Sequence, residues 1–197
     1  MGRSTAKAIQ QPNDRSCGPT ALKTALSIFG QKRSLPFLTK LCKTSRNGTT
    51  THNLIGATIK LGYSVELVEG ATLTHLASSL RYSKNKIRVT LVSYLYDLDE
   101  KQRPHPDSGH WAVVSSYSAS KSRIYLLDSS TATRKSYDWP DFRNRWMDYD
   151  FKRIATSDRK KSFKMIRHWQ PQLMLVIAKK EDNLPQFNIS SSRIFTP

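Results

Sequence analysis

The chain has 197 residues, 32 Lys and Arg against 15 Asp and Glu for a net charge of 32 − 15 = +17, and 38% hydrophobic and 10% aromatic residues. That apolar content recurs along most of the length and excludes wholesale disorder; no Gly, Ser or Pro-rich stretch divides it, so we read one domain over residues 1–180 and an irregular tail over 181–197. Met1–Lys7 lacks the apolar core of a signal peptide and no stretch approaches the roughly 18 consecutive apolar residues of a membrane helix, so no membrane insertion and a cytoplasmic location are expected.

In chain order, the spacing of Leu22, Ala25, Leu26 and Phe29 predicts a helix over Pro19–Phe29, with Pro19 suited to a first turn and Gly30 to a stop. Leu35–Cys42 reads as a second, short helix. Leu54, Ala57 (or Thr58) and Leu61 give a third, begun by the Thr49–Thr51 cluster and ended by Gly62. Tyr63–Val68 alternates like a strand, Leu73–Leu80 like a helix, and Ile87–Leu95 is a β-rich apolar run. Tyr96–Gly109 is a polar loop with two prolines. Two strands follow, His110–Tyr117 and Arg123–Asp128, joined by a turn around Ala119; then a helix over Asp138–Met147 and a last strand over Leu173–Ala178. Helices preceding an antiparallel-looking sheet place the chain in the α+β class.

Only two cysteines occur, Cys17 and Cys42, in surroundings too different for a disulfide and too few for a metal site of the usual ligand density. No cofactor is expected, and at least one thiol is free for chemistry. Cys17 stands just before a helix, where unpaired N–H groups and the macrodipole favour a thiolate; read alone, it is more often a small buried hydrophobe. His110 opens one strand and Asp128 closes the next, each nine residues from Ala119. Antiparallel pairing about that midpoint sets imidazole and carboxylate side by side, where the carboxylate fixes the ring and leaves its other nitrogen for a thiol. Each in isolation is also an ordinary strand-end residue. Gln11, six residues before Cys17 with Gln10 a neighbouring decoy, supplies an amide that with the Cys17 N–H can hold an oxyanion.

The ordered set Gln11, then Cys17-Gly18-Pro19-Thr20-Ala21 heading an apolar helix, then Gly109-His110-Trp111-Ala112-Val113-Val114, then Leu127-Asp128, resembles the double-glycine-leader peptidases, the papain-like cysteine peptidases that process bacteriocin precursors. Gly48-Thr49-Thr50 leading into Leu54–Gly62 is similar to that family's middle helix, and Asp138–Trp146 to the helix after its Asp strand, so the likeness covers most of Gln11–Ala178. The resemblance implies a papain-like fold, with the nucleophile helix in an N-terminal helical part packed on an antiparallel sheet carrying His and Asp. It implies Cys17 as nucleophile, His110 as base and then acid, Asp128 as orienting residue and Gln11 as oxyanion donor. It also implies a peptide or protein substrate cut after small residues such as Gly-Gly or Gly-Ala. Trp111 is then a candidate wall of the narrow groove, although a strand tryptophan more often belongs to the core. The chain carries neither the membrane nor the ATP-binding parts to which many relatives are fused, so coupled export is not implied, and the loop before His110 looks longer than the family's.

Two other functions fit the same residues. An acyltransferase or amidase would use the same thioester chemistry with another acceptor, and a nucleic-acid-binding module would use the +17 surface and leave the triad idle. The basic residues cluster at Arg81, Lys84, Lys86 and Arg88, and over Arg143–Arg167, where nine basic and three acidic residues leave 9 − 3 = +6. Such runs are usually solvated faces with nonspecific attraction to polyanions. His52, His75, His105 and His168 read as surface or packing residues, and Cys42, on an apolar helical face, as structural.

Overall fold

Helix α1 (Cys17–Ile28) begins two residues before the expected start, so that Pro19 sits in its first turn, where an N–H would have no helical partner. It closes with Gly30 N–H donating to Ser27 O and Gln31 N–H to Leu26 O. Helix α2 (Leu35–Leu41) is capped by Ser34, whose hydroxyl accepts from Phe37 N–H, and α3 (Thr51–Lys60) by Thr50, whose hydroxyl accepts from Asn53 N–H. The computed structural model describes residues 6–81, 87–155 and 163–197. Lys84, Lys86 and residues 156–162, with Arg159, Lys160 and Lys161 of the second basic cluster, lie outside them.

Beyond α3 the chain forms β1 (Ser64–Val68), α4 (Leu73–Ser79), β2 (Arg88–Leu95), β3 (Gly109–Ser118), β4 (Arg123–Asp128), β5 (Thr133–Asp138), α5 (Trp139–Arg145), β6 (Met147–Ala155), β7 (Phe163–Pro171), β8 (Met174–Ala178), a 3-10 turn (Glu181–Asn183) and β9 (Ser192–Phe195). Seven strands make one sheet in the order β5-β4-β3-β2-β8-β1-β9, every pairing antiparallel. β6 and β7 form a separate two-stranded ribbon. The class is α+β, as the sequence indicates.

Alternation along the strands sorts side chains between two cores. Val65, Leu91, Trp111, Val113 and Leu175 join Leu22, Leu26 and Leu54 beneath α1 and α3. Val92, Tyr94, Ala112, Leu126 and Val176 join Leu76 of α4 and Phe142 and Trp146 of α5 on the other face. Because both faces are covered, β1 and β8 are buried at every position; this explains the unbroken apolar run of β8, while β1 still alternates and so buries Ser64 and Glu66. Among the described residues, no helix is long and apolar enough to cross a membrane.

Three elements depart from expectation. β5 is a largely exposed strand of sequence TRKSYD at the sheet edge, without the apolar signal of a buried strand; the β6–β7 ribbon is charged, although Met147, Tyr149 and Phe151 of β6 alternate with Asp148, Asp150 and Lys152, a strand signal not among the expectations above. The tail, expected to be irregular, instead adds β9 to the edge of β1. Glu66, fully buried on β1, explains this: its carboxylate accepts from Gln186 N–H at 2.9 Å, Phe187 N–H at 2.6 Å and Ser192 Oγ at 2.7 Å, and so draws the last residues across the sheet.

Candidate active site

Cys17 is the first residue of α1 and is 6% exposed. Its neighbour Gly18 lies so near the Thr49 side chain that a Cβ there would come 2.8 Å from Thr49 Cβ; glycine is what lets the helix start press against the loop before α3. His110 and Asp128 lie at the same end of the sheet, 2% and 0% exposed.

Their register differs from the one spacing suggests. β3 pairs Val113 with Leu127 and Val114 with Leu126, with an irregularity between Val114 and Ser116, so the pairing continues to set Ala112, not His110, opposite Asp128. His110 reaches the carboxylate diagonally, two residues along the same face. His110 Nε2 is 3.3 Å from Asp128 Oδ2, close enough for charge pairing but without hydrogen-bond alignment. Burial works to lower the imidazole pKa, yet the Asp128 carboxylate and the Cys17 thiol beside it outweigh burial and raise it to about 9. Burial would raise Asp128; His110, Ser130 and Tyr94 hold it far below the usual carboxylate range instead.

The Asp128 carboxylate is held on every side. Oδ1 accepts from Ser130 N–H at 3.0 Å and Ser130 Oγ at 2.5 Å, with Lys135 Nζ 3.3 Å away, and Oδ2 accepts from Tyr94 Oη at 2.7 Å. Tyr94 and Tyr96 set their rings edge-on to His110, with centroids 5.7 and 5.4 Å distant. Gln11 is tied beside the same strand end: its N–H donates to Ser129 O at 2.9 Å and its Oε1 accepts from Ser129 Oγ at 2.7 Å, which leaves the amide N–H₂ for another acceptor. Gln10 Nε2 donates to Ser130 O.

Trp111 takes the packing position. It is 4% exposed in the core beneath α1, its Nε1 donating to Thr49 O at 3.4 Å, and so does not wall an open groove. Cys42 is fully buried, and burial pushes its thiol up to about 12. His75 serves as part of the α4 cap, exchanging hydrogen bonds with Thr72.

Several residues here were not anticipated. Asp128 followed by Ser129, Ser130 and Thr131 is a turn signal legible in the chain. Tyr94 shows its role only when β2 pairs with β3 and stands opposite His110. Asp148 belongs to β6, within the alternation of Met147, Tyr149 and Phe151; Ser93 Oγ donates to its Oδ2, and burial of the carboxyl group raises its pKa to about 6.

Residues 5–151 match the model of the peptidase C39 family. Among solved structures, the peptidase domain of Streptococcus ComA, a bifunctional ABC transporter involved in quorum sensing, is similar in fold with a TM-score of 0.62 and 18% identity over 89% of this chain and 99% of that one. A double glycine motif protease from an AMS/PCAT transporter, solved in complex with the leader peptide, has a TM-score of 0.57 and 13% identity over 90% of this chain and 94% of that one. A comparison with curated proteins returned no match.

Proposed function

The chain belongs to the peptidase C39 family and is a cysteine peptidase, and on that premise we propose that Cys17, His110, Asp128 and Gln11 carry its reaction. The observation that supports this most is the convergence of a helix-start thiol, a buried imidazole and a buried carboxylate at one end of the sheet, with the thiol and the carboxylate together outweighing burial at the ring.

In this reading Nε2 of His110 faces Asp128 and the remaining ring nitrogen faces Cys17. The thiol proton passes to the ring, and the sulfur attacks the scissile carbonyl carbon. The oxyanion is received by the Cys17 N–H and the Gln11 amide. The C–N bond breaks as the imidazolium protonates the leaving amine. Water, deprotonated by His110, then attacks the thioester, releasing a carboxylate and restoring the thiol.

The substrate we propose is a leader peptide cut after two small residues, Gly-Gly or Gly-Ala. The AMS/PCAT relative bound to its leader peptide supports that choice. The +17 charge would add nonspecific attraction to polyanions, which falls as salt rises. We extend the domain, expected from sequence to end at residue 180, to include β9 (Ser192–Phe195), which pairs with β1 in the same sheet, and we place the protein in the cytoplasm.

Wild type and Cys17→Ala, each treated with iodoacetamide and with peptides carrying an internal Gly-Gly, test the assignment. We expect stoichiometric labelling of Cys17 and cleavage after the second glycine, both lost in the variant. Cleavage by Cys17→Ala at the wild-type rate would overturn it.

A further inference from the structure

Tyr94 takes no part in the steps above, yet its hydroxyl donates to the Asp128 oxygen that faces His110. It is fully buried, it stands opposite His110 in the β2–β3 pairing, and its ring meets the imidazole edge-on. The Tyr94 hydroxyl donates at 2.7 Å to Asp128 Oδ2, the oxygen that also lies 3.3 Å from His110 Nε2. Only the first of these contacts has hydrogen-bond alignment. Since Ser130 and Thr131 N–H groups and the Ser130 hydroxyl occupy Oδ1, the carboxylate is oriented by its surroundings and not by the imidazole.

We infer that Tyr94 is a positioning residue: by donating its hydroxyl to Oδ2, it fixes the Asp128 carboxylate as a stationary charge beside His110 and sets how strongly that charge holds the imidazolium. The inference rests on the reading of Cys17, His110 and Asp128 as the reacting set. Tyr94 is not itself a proton carrier. Burial, then the nearby Asp128 and Tyr137, hold its phenol well above the ordinary value, so it stays neutral. The other groups acting on His110 are Cys17, the Tyr96 ring and the charge of Asp148.

A carboxylate that loses this donor is a less stabilised anion and attracts the imidazolium more strongly, while its position loosens. Tyr94→Phe keeps the ring and removes only the hydroxyl. We expect it to raise the titration midpoint of His110, followed by NMR of the imidazole ring, by about half a pH unit or more. We also expect kcat for Gly-Gly peptides to fall about tenfold with KM unchanged, since substrate contacts are untouched. Phe142→Leu is the control for packing alone. Its ring lies 5.8 Å from that of Tyr94, and we expect a lower melting temperature without movement of the His110 midpoint. A midpoint within about 0.2 units of wild type in Tyr94→Phe would overturn the inference. Should that variant not fold, 3,5-difluorotyrosine at position 94 alone strengthens the donor; it must then lower the midpoint, and an unmoved midpoint again overturns the inference. Failure of the underlying reading looks different: Cys17→Ala would still cleave, while the NMR coupling of Tyr94 to His110 would be unaffected.

Discussion

His110 and Asp128 are each buried, and each holds the other's charge in place. The sign of the resulting pH dependence follows from their shifts. His110 binds its proton more tightly folded than unfolded, so its contribution to stability is complete below its ordinary value of 6.5 and is lost as pH rises toward about 9. Asp128 is shifted down, so its contribution is complete above 3.8 and is lost only under strongly acid conditions. Cleavage should therefore decline through an alkaline limb near pH 9 as the imidazolium is lost. Asp128→Asn should move that limb toward neutral pH and lower kcat by roughly 10²-fold or more, measured as cleavage rate against pH. The two thiols should differ as sharply. With its thiol pushed up to about 12, Cys42 holds a thiolate fraction of about 10⁻⁴ at pH 8, so mass spectrometry after brief iodoacetamide treatment should find label on Cys17 and none on Cys42.

At the level of elements, the β6–β7 ribbon is fastened to the site by carboxylates. Asp148 accepts from Ser93, and Asp150 Oδ2 accepts from Thr51 N–H at the start of α3 at 3.0 Å. Gly109, immediately before His110, lies against Asp148 so closely that a Cβ would come 2.7 Å from Oδ2. Gly109→Ala should therefore cost about 1–3 kcal/mol in urea unfolding, and adding Asp148→Ala should recover part of it, an outcome that additive effects would not give. Because the folded pKa of Asp148 is raised to about 6, its charge opposes folding above that pH, and the opposition fades as pH falls toward 3.8. The helices α1 and α3 were legible because apolar spacing agrees with local start and stop signals, Pro19 and Gly30 for α1 and the Thr50 cap and Gly62 for α3. The ribbon was legible only in the short alternation of Met147, Tyr149 and Phe151 with charged residues; its pairing and its place against the site depend on β7 and on two carboxylate contacts distant in sequence.

Across the whole molecule, the last residues complete the sheet. β9 covers the outer edge of β1, and three donors from residues 186, 187 and 192 satisfy the buried Glu66. Removing residues 185–197 would strip all three from a buried carboxylate, and we expect a loss of about 3 kcal/mol or more by urea unfolding. Glu66→Gln in the full-length chain, which keeps an acceptor, should lose less. An unchanged midpoint on truncation would show the tail to be an ornament on the sheet.

Local order along the chain determined the helix expected over Pro19–Phe29 just after Cys17, the strands that carry His110 and Asp128, and the α+β class, because each depends on side-chain periodicity and turn chemistry within a short window. Only the tertiary structure decided the diagonal register of His110 on Asp128, the Tyr94 hydroxyl on the same carboxylate, the burial of Trp111 and the edge strand drawn in by Glu66. Each of these joins residues between 18 and 126 positions apart, and a contact at that separation leaves no periodic trace in the sequence on either side of it.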